Sequence, residues 1–328
     1  MTLTRRAALA AAPLLPLSAA LHAGARAQST FPDRAVRYIV PFTPAGLTDI
    51  MARLVAQRLQ EGWGRPVVVE NRAGGNAIIG AQAAAQSPPD GHTLLAITLT
   101  HAVNVSLFPN APYDLLRDFS VVSMLGSLPL VVVVNPNNPA RTLADFMEQL
   151  RRRPTNAGSS GNGSPPHLGL ELVRRVSGAG GNVTHVPYRG GAPGVTDLVA
   201  GNLDFMVSNL PECIGQLQSG RLRGLAITSE TRHRLVPDIP TVIEAGSPDL
   251  RISNWTAMLT NSAVPRPVFT EIERATTAAM RDPDTRRRAE DGGFDVLGWD
   301  ADRSRAFVTQ EVERWSRLVR EAGIRPDA

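Results

Sequence analysis

From residue 35 onward, short runs of β-branched residues alternate with stretches whose apolar residues recur at helical spacing. This alternation is typical of βαβ units, so it predicts mainly parallel sheets flanked by helices. In the first third of the chain, strands and helices are predicted in turn at residues 36–41, 49–59, 66–70, 78–85 and 93–98.

The most apolar strand is predicted at residues 128–134, and it ends in the polar, proline-bounded segment 135–139. A new series of alternating elements starts there, so we place a crossing between two lobes near this segment. A chain of 328 residues also suits two domains of roughly 100 to 150 residues each. We predict a first lobe from residues 28–127 and 256–328 and a second lobe from residues 128–255. The elements predicted after the crossing are 143–152, 165–176, 183–186, 203–207, 222–228, 253–259, 267–280 and 304–322.

Residues 1–27 have the pattern of an export signal. Arg5 and Arg6 precede an alanine- and leucine-rich run, and Ala25-Arg26-Ala27 forms a small-x-small cleavage site. We predict cleavage after Ala27 and a periplasmic location, reached by the twin-arginine or the general secretory route. The alternative, an N-terminal membrane anchor, requires a longer apolar run with fewer prolines.

Charge and cysteine content exclude several classes of function. The formal net charge of +4 falls to +1 once Arg5, Arg6 and Arg26 are removed, which leaves no electrostatic argument for nucleic-acid binding. The single cysteine, Cys213, excludes an internal disulfide and a multi-thiolate metal site. The histidines are scattered without metal-ligand spacing. We therefore predict no cofactor, no metal and no nucleic-acid partner, and we expect a monomer.

The glycine- and serine-rich segment 158–164 is the first candidate site. In open α/β sheets, ligands bind beyond the carboxyl ends of the strands, where loops lead into helices. Ser164 is a good N-cap and Pro165 suits the first helical position, so we expect free backbone N–H groups to face a bound anion. Ser160 and Asn162 add hydroxyl and amide donors. The alternative is a mobile surface loop before a capped helix.

A second strand-to-helix loop, at residues 43–49, has similar chemistry. Gly46 permits close approach of a ligand, and Thr48 or Asp49 is expected to cap the following helix. Asp49 would repel an anion, and it fits equally well as a first-turn carboxylate favoured by the helix dipole. Thr98 and His101, with Thr100 and Asn104, follow the third predicted strand and extend this polar edge.

Enzyme functions are less well supported. The segment 157–161 is similar to a relaxed nucleophile elbow with Ser159 as the nucleophile, which gives an exported serine hydrolase as the alternative. His185 or His233 and Asp197 or Asp204 would have to complete the triad. The strict Gly-x-Ser-x-Gly pattern is missing, and the spacing of the glycines fits neither a dinucleotide loop nor a P-loop.

Several blocks of the chain resemble the Bug-type receptors of tripartite tricarboxylate transporters. The first is Val40-Pro41-Phe42-Thr43-Pro44-Ala45-Gly46-Leu47-Thr48-Asp49. The later blocks are Val67-Val68-Val69-Glu70-Asn71-Arg72-Ala73-Gly74-Gly75, Pro89-Asp90-Gly91-His92-Thr93-Leu94-Leu95, Gly161-Asn162-Gly163-Ser164 with His167-Leu168, His185-Val186-Pro187-Tyr188-Arg189-Gly190, Pro237-Asp238-Ile239-Pro240-Thr241-Val242 and Arg314-Trp315.

The resemblance implies an α/β periplasmic-binding-protein (Venus-flytrap) fold, with two lobes that are each a mainly parallel sheet flanked by helices. It implies a receptor, not an enzyme, that captures a small mono-, di- or tricarboxylate between the lobes and delivers it to membrane transporter subunits. Backbone donors and bridging waters would hold the ligand. The ligand contacts that it implies are Phe42, Thr43, Gly46, Thr48, Thr98, His101, Ser160, Asn162, Ser164, His167 and Asn209.

The chain departs from the family pattern at two places. Ala45-Gly46 stands where a double glycine is common, and Ser208-Asn209 stands where an aspartate often precedes the asparagine. The second departure weakens the case for a ligand with a positive amine, such as an amino acid. A periplasmic sensing domain with a signalling partner is the remaining alternative to a transport receptor.

Overall fold

A computed structural model describes residues 31–44, 46–188 and 190–326. The predicted export signal, Ala45 and Arg189 lie outside these residues. The strands are β1 Val36–Val40, β2 Val67–Asn71, β3 Thr93–Thr98, β4 Phe119–Val134, β5 Thr155–Ser159, β6 Val183–Pro187, β7 Phe205–Asn209, β8 Arg223–Ile227, β9 Ser253–Asn261 and β10 Asp295–Val296. The helices are α1 Leu47–Trp63, α2 Ile78–Ala85, α3 Leu99–Leu107, α4 Leu143–Arg152, α5 Pro165–Ser177, α6 Gly191–Ala200, α7 Leu210–Gln218, α8 Arg266–Arg281, α9 Pro283–Asp291 and α10 Ala301–Glu321.

The strands follow the order β2-β1-β3-β9-β4-β7-β5-β6, and β8 and β10 pair with β4 beside this path. The βαβ units at both ends of the order are parallel, as the alternating pattern predicts. The strands β4 and β9 are antiparallel to their neighbours and join the two parallel halves. The α/β fold class is therefore confirmed, and the strand order is consistent with two lobes.

Strand β4 runs through both halves of the sheet. It pairs with β9 from Phe119 to Pro129 and then with β7 from Leu130 to Val134. Ser127 of β4 lies directly opposite Trp255 of β9. The two lobe boundaries predicted from the sequence follow these two residues. Both boundaries therefore lie side by side in the sheet.

The buried carboxylate of Glu311 joins helix α10 to β9, which with β4 forms the crossing strands between the two halves. The indole N–H groups of Trp255 and Trp315 both donate to Oε2 of Glu311, at 2.9 and 2.8 Å. Both tryptophans are almost fully buried. Buried polar groups require such partners, and this one joins β9 to the C-terminal helix.

Some elements differ from the prediction. Strand β4 begins at Phe119, well before residue 128, and its first part was missed because it mixes serine with apolar residues. Helix α3 was not predicted, because it follows β3 without a connecting loop and its polar residues are typical of a loop. The helices α6 and α7 were not predicted either. Within the described ranges, no helix is both long and apolar enough to cross a membrane.

Candidate functional site

The candidate site lies where strands of both halves end. Thr98 ends β3, Ser159 ends β5 and Asn209 ends β7. The two halves are in contact here. The amide Nδ2 of Asn254, on β9, donates to Oδ1 of Asn209, at the end of β7, at 3.2 Å. A Cβ atom added to Gly163 would lie only 2.7 Å from Cδ2 of Leu107 in α3. The loop before α5 is therefore packed against the helix that follows β3.

The first loop presents an uncapped helix start. Gly46 is the N-cap of α1 and supplies no side-chain hydrogen bond. Among the described residues, neither the backbone N–H of Leu47 nor that of Thr48 has an acceptor. The expectation that Thr48 or Asp49 caps this helix is wrong, because α1 begins at Leu47. Thr43, next to the cap, is exposed.

Asp49 belongs to the interior of its own half. Its carboxylate is almost fully buried and accepts from Nδ2 of Asn71 at 2.9 Å and from Nε of Arg53 at 2.9 Å. The Asn71 amide also donates to the carbonyl of Phe42 at 3.1 Å, which fixes the loop at its start. These contacts favour the structural interpretation of Asp49 over a ligand contact.

His101 supplies a neutral donor beside this loop. Its Nδ1 accepts from the backbone N–H of Thr98 at 3.1 Å, so Nε2 carries the proton. Burial lowers the pKa of His101 to about 3, which keeps the ring neutral. Its Nε2 is buried and has no partner in the described part of the chain. The ring of Phe42 packs against it edge to face, with centroids 6.0 Å apart.

The second loop is internally hydrogen-bonded. Ser164 caps α5, as predicted, since its Oγ accepts from the backbone N–H of His167 at 3.3 Å. The same hydroxyl donates to the carbonyl of Gly161 at 2.6 Å. The expectation of free backbone donors at this helix start is wrong, because Pro165 and Pro166 have no N–H and that of His167 is occupied.

Two histidines hold the second loop through hydrogen bonds and ring stacking. Nδ1 of His167 accepts from the backbone N–H of Gly163 at 3.0 Å, and its ring stacks on that of His185 with centroids 4.0 Å apart. Nε2 of His185 lies 2.6 Å from Oγ of Ser159, which also accepts from the backbone N–H of Gly161. Burial lowers the pKa of His185 to about 4. The loop is therefore held by two stacked imidazole rings.

The Ser159–His185 pair does not extend to a catalytic triad. Asp197 binds the hydroxyl of Tyr188 at 2.6 Å, and Asp204 binds Arg153 and the backbone N–H of Asn156. Both acids proposed for the third position are thus engaged elsewhere. Buried Ser159 is a support of the loop rather than an exposed nucleophile.

Several polar atoms at these strand ends are buried and have no hydrogen-bond partner among the residues that the structure describes. The Oγ of Ser160 is one of them, besides Nε2 of His101. Oδ1 of Asn254 and Oγ1 of Thr256, both on β9, are two more. Sequence reasoning missed the β9 residues, because Asn254 and Thr256 are two of several polar residues in this strand and no local pattern distinguishes them. Buried polar groups normally have partners, so a polar ligand is the expected occupant.

Comparisons with known proteins agree with this geometry. Residues 51–324 match the family described as tripartite tricarboxylate transporter family receptor. Protein BugT of Bordetella pertussis is 37% identical over 301 residues, which cover 90% of this chain and 91% of BugT.

Two solved structures from Rhodopseudomonas palustris are similar over all of their own length. Rpa4515 with adipate has a TM-score of 0.82 and 32% identity and covers 90% of this chain and 100% of its own. MatC with bound malate has a TM-score of 0.78 and 29% identity and covers 88% of this chain and 100% of its own. The chain therefore belongs to the Bug-type solute-binding receptors of the tripartite tricarboxylate transporter family and is not an enzyme.

Proposed function

We propose that this receptor captures a small carboxylate between its two lobes and delivers it to a tripartite tricarboxylate-type membrane transporter. The observation that carries the proposal is that two neutral donors, Nε2 of His101 and Oγ of Ser160, have no partner among the described residues where the strands of the two halves end. The backbone N–H groups of Leu47 and Thr48 add open donors at the positive end of α1. The relatives with malate and adipate are consistent with this ligand class.

The site would hold the anion without a counter-charge from the loop itself. No arginine or lysine lies between Pro154 and Leu172, and Arg53 beside the first loop is paired with Asp49. A carboxylate can be held by several neutral donors, since each hydrogen bond to a charged group contributes roughly 1.5 to 3 kcal/mol. The contacts that we assign to the carboxylate are the open donors of the first loop, Nε2 of His101, Oγ of Ser160 and the side-chain amide of Asn209.

The ligand class can be tested directly. Native mass spectrometry of freshly purified protein should show a retained small acid, and titration calorimetry with mono-, di- and tricarboxylates should identify which class binds. The corresponding amides, which lack the negative charge, are the matched control. Equal binding of acids and amides, or binding of neither, would refute the proposal.

Two further parts of the function can be tested separately. Lobe closure about the Ser127–Trp255 pair would reduce the radius of gyration in X-ray scattering when a bound acid saturates the protein. Export would leave a periplasmic protein whose first residue is Gln28. An unchanged radius, or an intact N-terminus in the cytoplasm, would contradict these proposals in turn.

A further inference from the structure

The crossing strand β9 turns two polar side chains toward the same side of the sheet. Its residues alternate, and Trp255, Ala257 and Leu259 pack in the core that contains α10. Met258 packs on the opposite side, in the core that contains α1. Asn254 and Thr256 share the side of Met258, because side chains alternate along a strand. They therefore lie on the side of α1, whose uncapped start is the open end of the first loop.

Thr256 is at the level of the strand ends. It lies opposite Thr98, the last residue of β3, and opposite Gly126 of β4. The Thr98 hydroxyl already accepts from the backbone N–H of Thr100, and Gly126 has no side chain. Thr256 is only 3% exposed, and its Oγ1 has no partner within the described residues. The hydroxyl is thus enclosed without the hydrogen bond that burial requires.

The neighbouring amide is oriented by a hydrogen bond to the second half of the sheet. Nδ2 of Asn254 donates to Oδ1 of Asn209 at 3.2 Å. This leaves Oδ1 of Asn254 as the unpartnered atom, and it is an acceptor.

An acceptor next to a hydroxyl discriminates between ligand groups. A carboxylate oxygen could accept from Thr256 but would be repelled by Oδ1 of Asn254. An alcohol group satisfies both, because it donates to Oδ1 and accepts from Oγ1. We propose that Asn254 and Thr256 form a subsite for a hydroxyl group on the ligand, so that the receptor selects hydroxycarboxylates over the matching acids without the hydroxyl. This proposal rests on the carboxylate-binding function above and specifies its substrate class.

The test compares acids that differ by one hydroxyl group. The pairs are lactate with propionate, malate with succinate, and citrate with propane-1,2,3-tricarboxylate, each measured by titration calorimetry on the cleaved, full-length receptor. In at least one pair the hydroxy acid should bind about tenfold tighter or more, because the acid without the hydroxyl leaves both groups unpartnered. Thr256→Val and Asn254→Leu should reduce this ratio to about one while changing the affinity for the deoxy acid less than about threefold.

Thr260→Val is the matched control. Thr260 is also buried on the same side of β9, but its hydroxyl donates to the carbonyl of Thr93, away from the strand ends. This variant should retain the ratio. If a β9 variant does not fold, the ratios measured with the unaltered receptor still decide the inference.

The outcomes separate the two proposals. Binding of acids with equal affinity for both members of each pair would overturn the hydroxyl subsite and leave the carboxylate receptor in place. A preference that persists in both Thr256→Val and Asn254→Leu would also overturn it. Binding of none of the six acids would refute both.

Discussion

The two loops at the candidate site begin their helices in opposite ways. The first loop ends in Gly46, leaves the first amides of α1 open and has no side-chain cap. The second loop ends in Ser164, which caps α5, and two prolines remove the first amides altogether. Similar sequences of glycine and hydroxyl residues thus give a helix start with open amides in one half and a capped helix start in the other, where Oγ of Ser160 is a donor without a partner among the described residues. We infer that the first loop supplies most of the donors to the anion and that the second mainly shapes the space around it.

The largest expected effect comes from removing one open amide of the first loop. Leu47→Pro deletes an N–H at the first helical position, where proline is tolerated, and the extended backbone of Gly46 suits a following proline. Affinity for the bound acid should fall about 10- to 100-fold, since one hydrogen bond to a charged group is lost. Calorimetric titration measures this.

Leu47→Ala is the control for the lost side chain, because it retains the N–H. Pro165→Ala is the control in the other loop, because it adds an N–H to α5. Both should change affinity much less than Leu47→Pro. If Leu47→Ala loses more affinity than Leu47→Pro, or if Pro165→Ala gains much affinity, the roles assigned to the two loops would be reversed.

A buried acid on the second side of the site gives the next largest effect. The carboxyl group of Glu212 lies against the backbone of Gly191 at the start of α6, and desolvation raises its pKa to about 7. Because the folded protein binds this proton more tightly than the unfolded chain, the contribution of Glu212 to stability is full below about pH 4.5 and is lost as the pH rises through about 7.

Glu212→Gln keeps the shape of the side chain and removes the titration. The unaltered protein should lose about 1 to 3 kcal/mol relative to this variant between pH 4.5 and pH 8. Denaturant unfolding across this pH range measures the difference. If the free energies of unfolding of the two proteins change equally with pH, Glu212 is ionised in the folded protein at no cost in stability.

Removing the N-cap of α5 should have a smaller effect than the two changes above. Ser164→Ala is expected to lower the free energy of unfolding by about 1 kcal/mol, the usual contribution of an N-cap, while Ser164→Thr retains most of it. We expect weaker ligand binding as the loop loosens, up to about tenfold. Chemical unfolding and calorimetry check both. If Arg189 holds the counter-ion instead, Arg189→Ala would abolish binding and Ser164→Ala would leave it unchanged.

The sequence was sufficient for the fold class but not for the roles of individual donors. Strand Thr93–Thr98 and helix Leu143–Arg152 were predicted with their observed bounds, because hydrophobic period and capping residues are local signals. The second loop was predicted as a site, yet the use of its hydroxyl and amide groups also depends on His185, which no local pattern connects to it. Asn254 and Thr256 were missed because their importance depends on strand register, which pairs distant residues.

The smallest expected effect is the response of binding to salt, and it tests the shared property of both loops. Each relies on neutral donors, and the charged Arg53 near the first loop is already paired. Ion pairs at an exposed site weaken as salt rises, because the screening length falls from about 10 Å at 0.1 M to about 3 Å at 1 M. Hydrogen bonds from enclosed amides, His101 and hydroxyl groups have little long-range Coulomb energy to lose. We therefore expect the affinity of Leu47→Pro and of the unaltered receptor to change by less than about threefold between 0.1 M and 1 M sodium chloride. A steep loss in the unaltered receptor would indicate an arginine as the main anion contact, and the difference between the two loops would then no longer explain how the acid is bound.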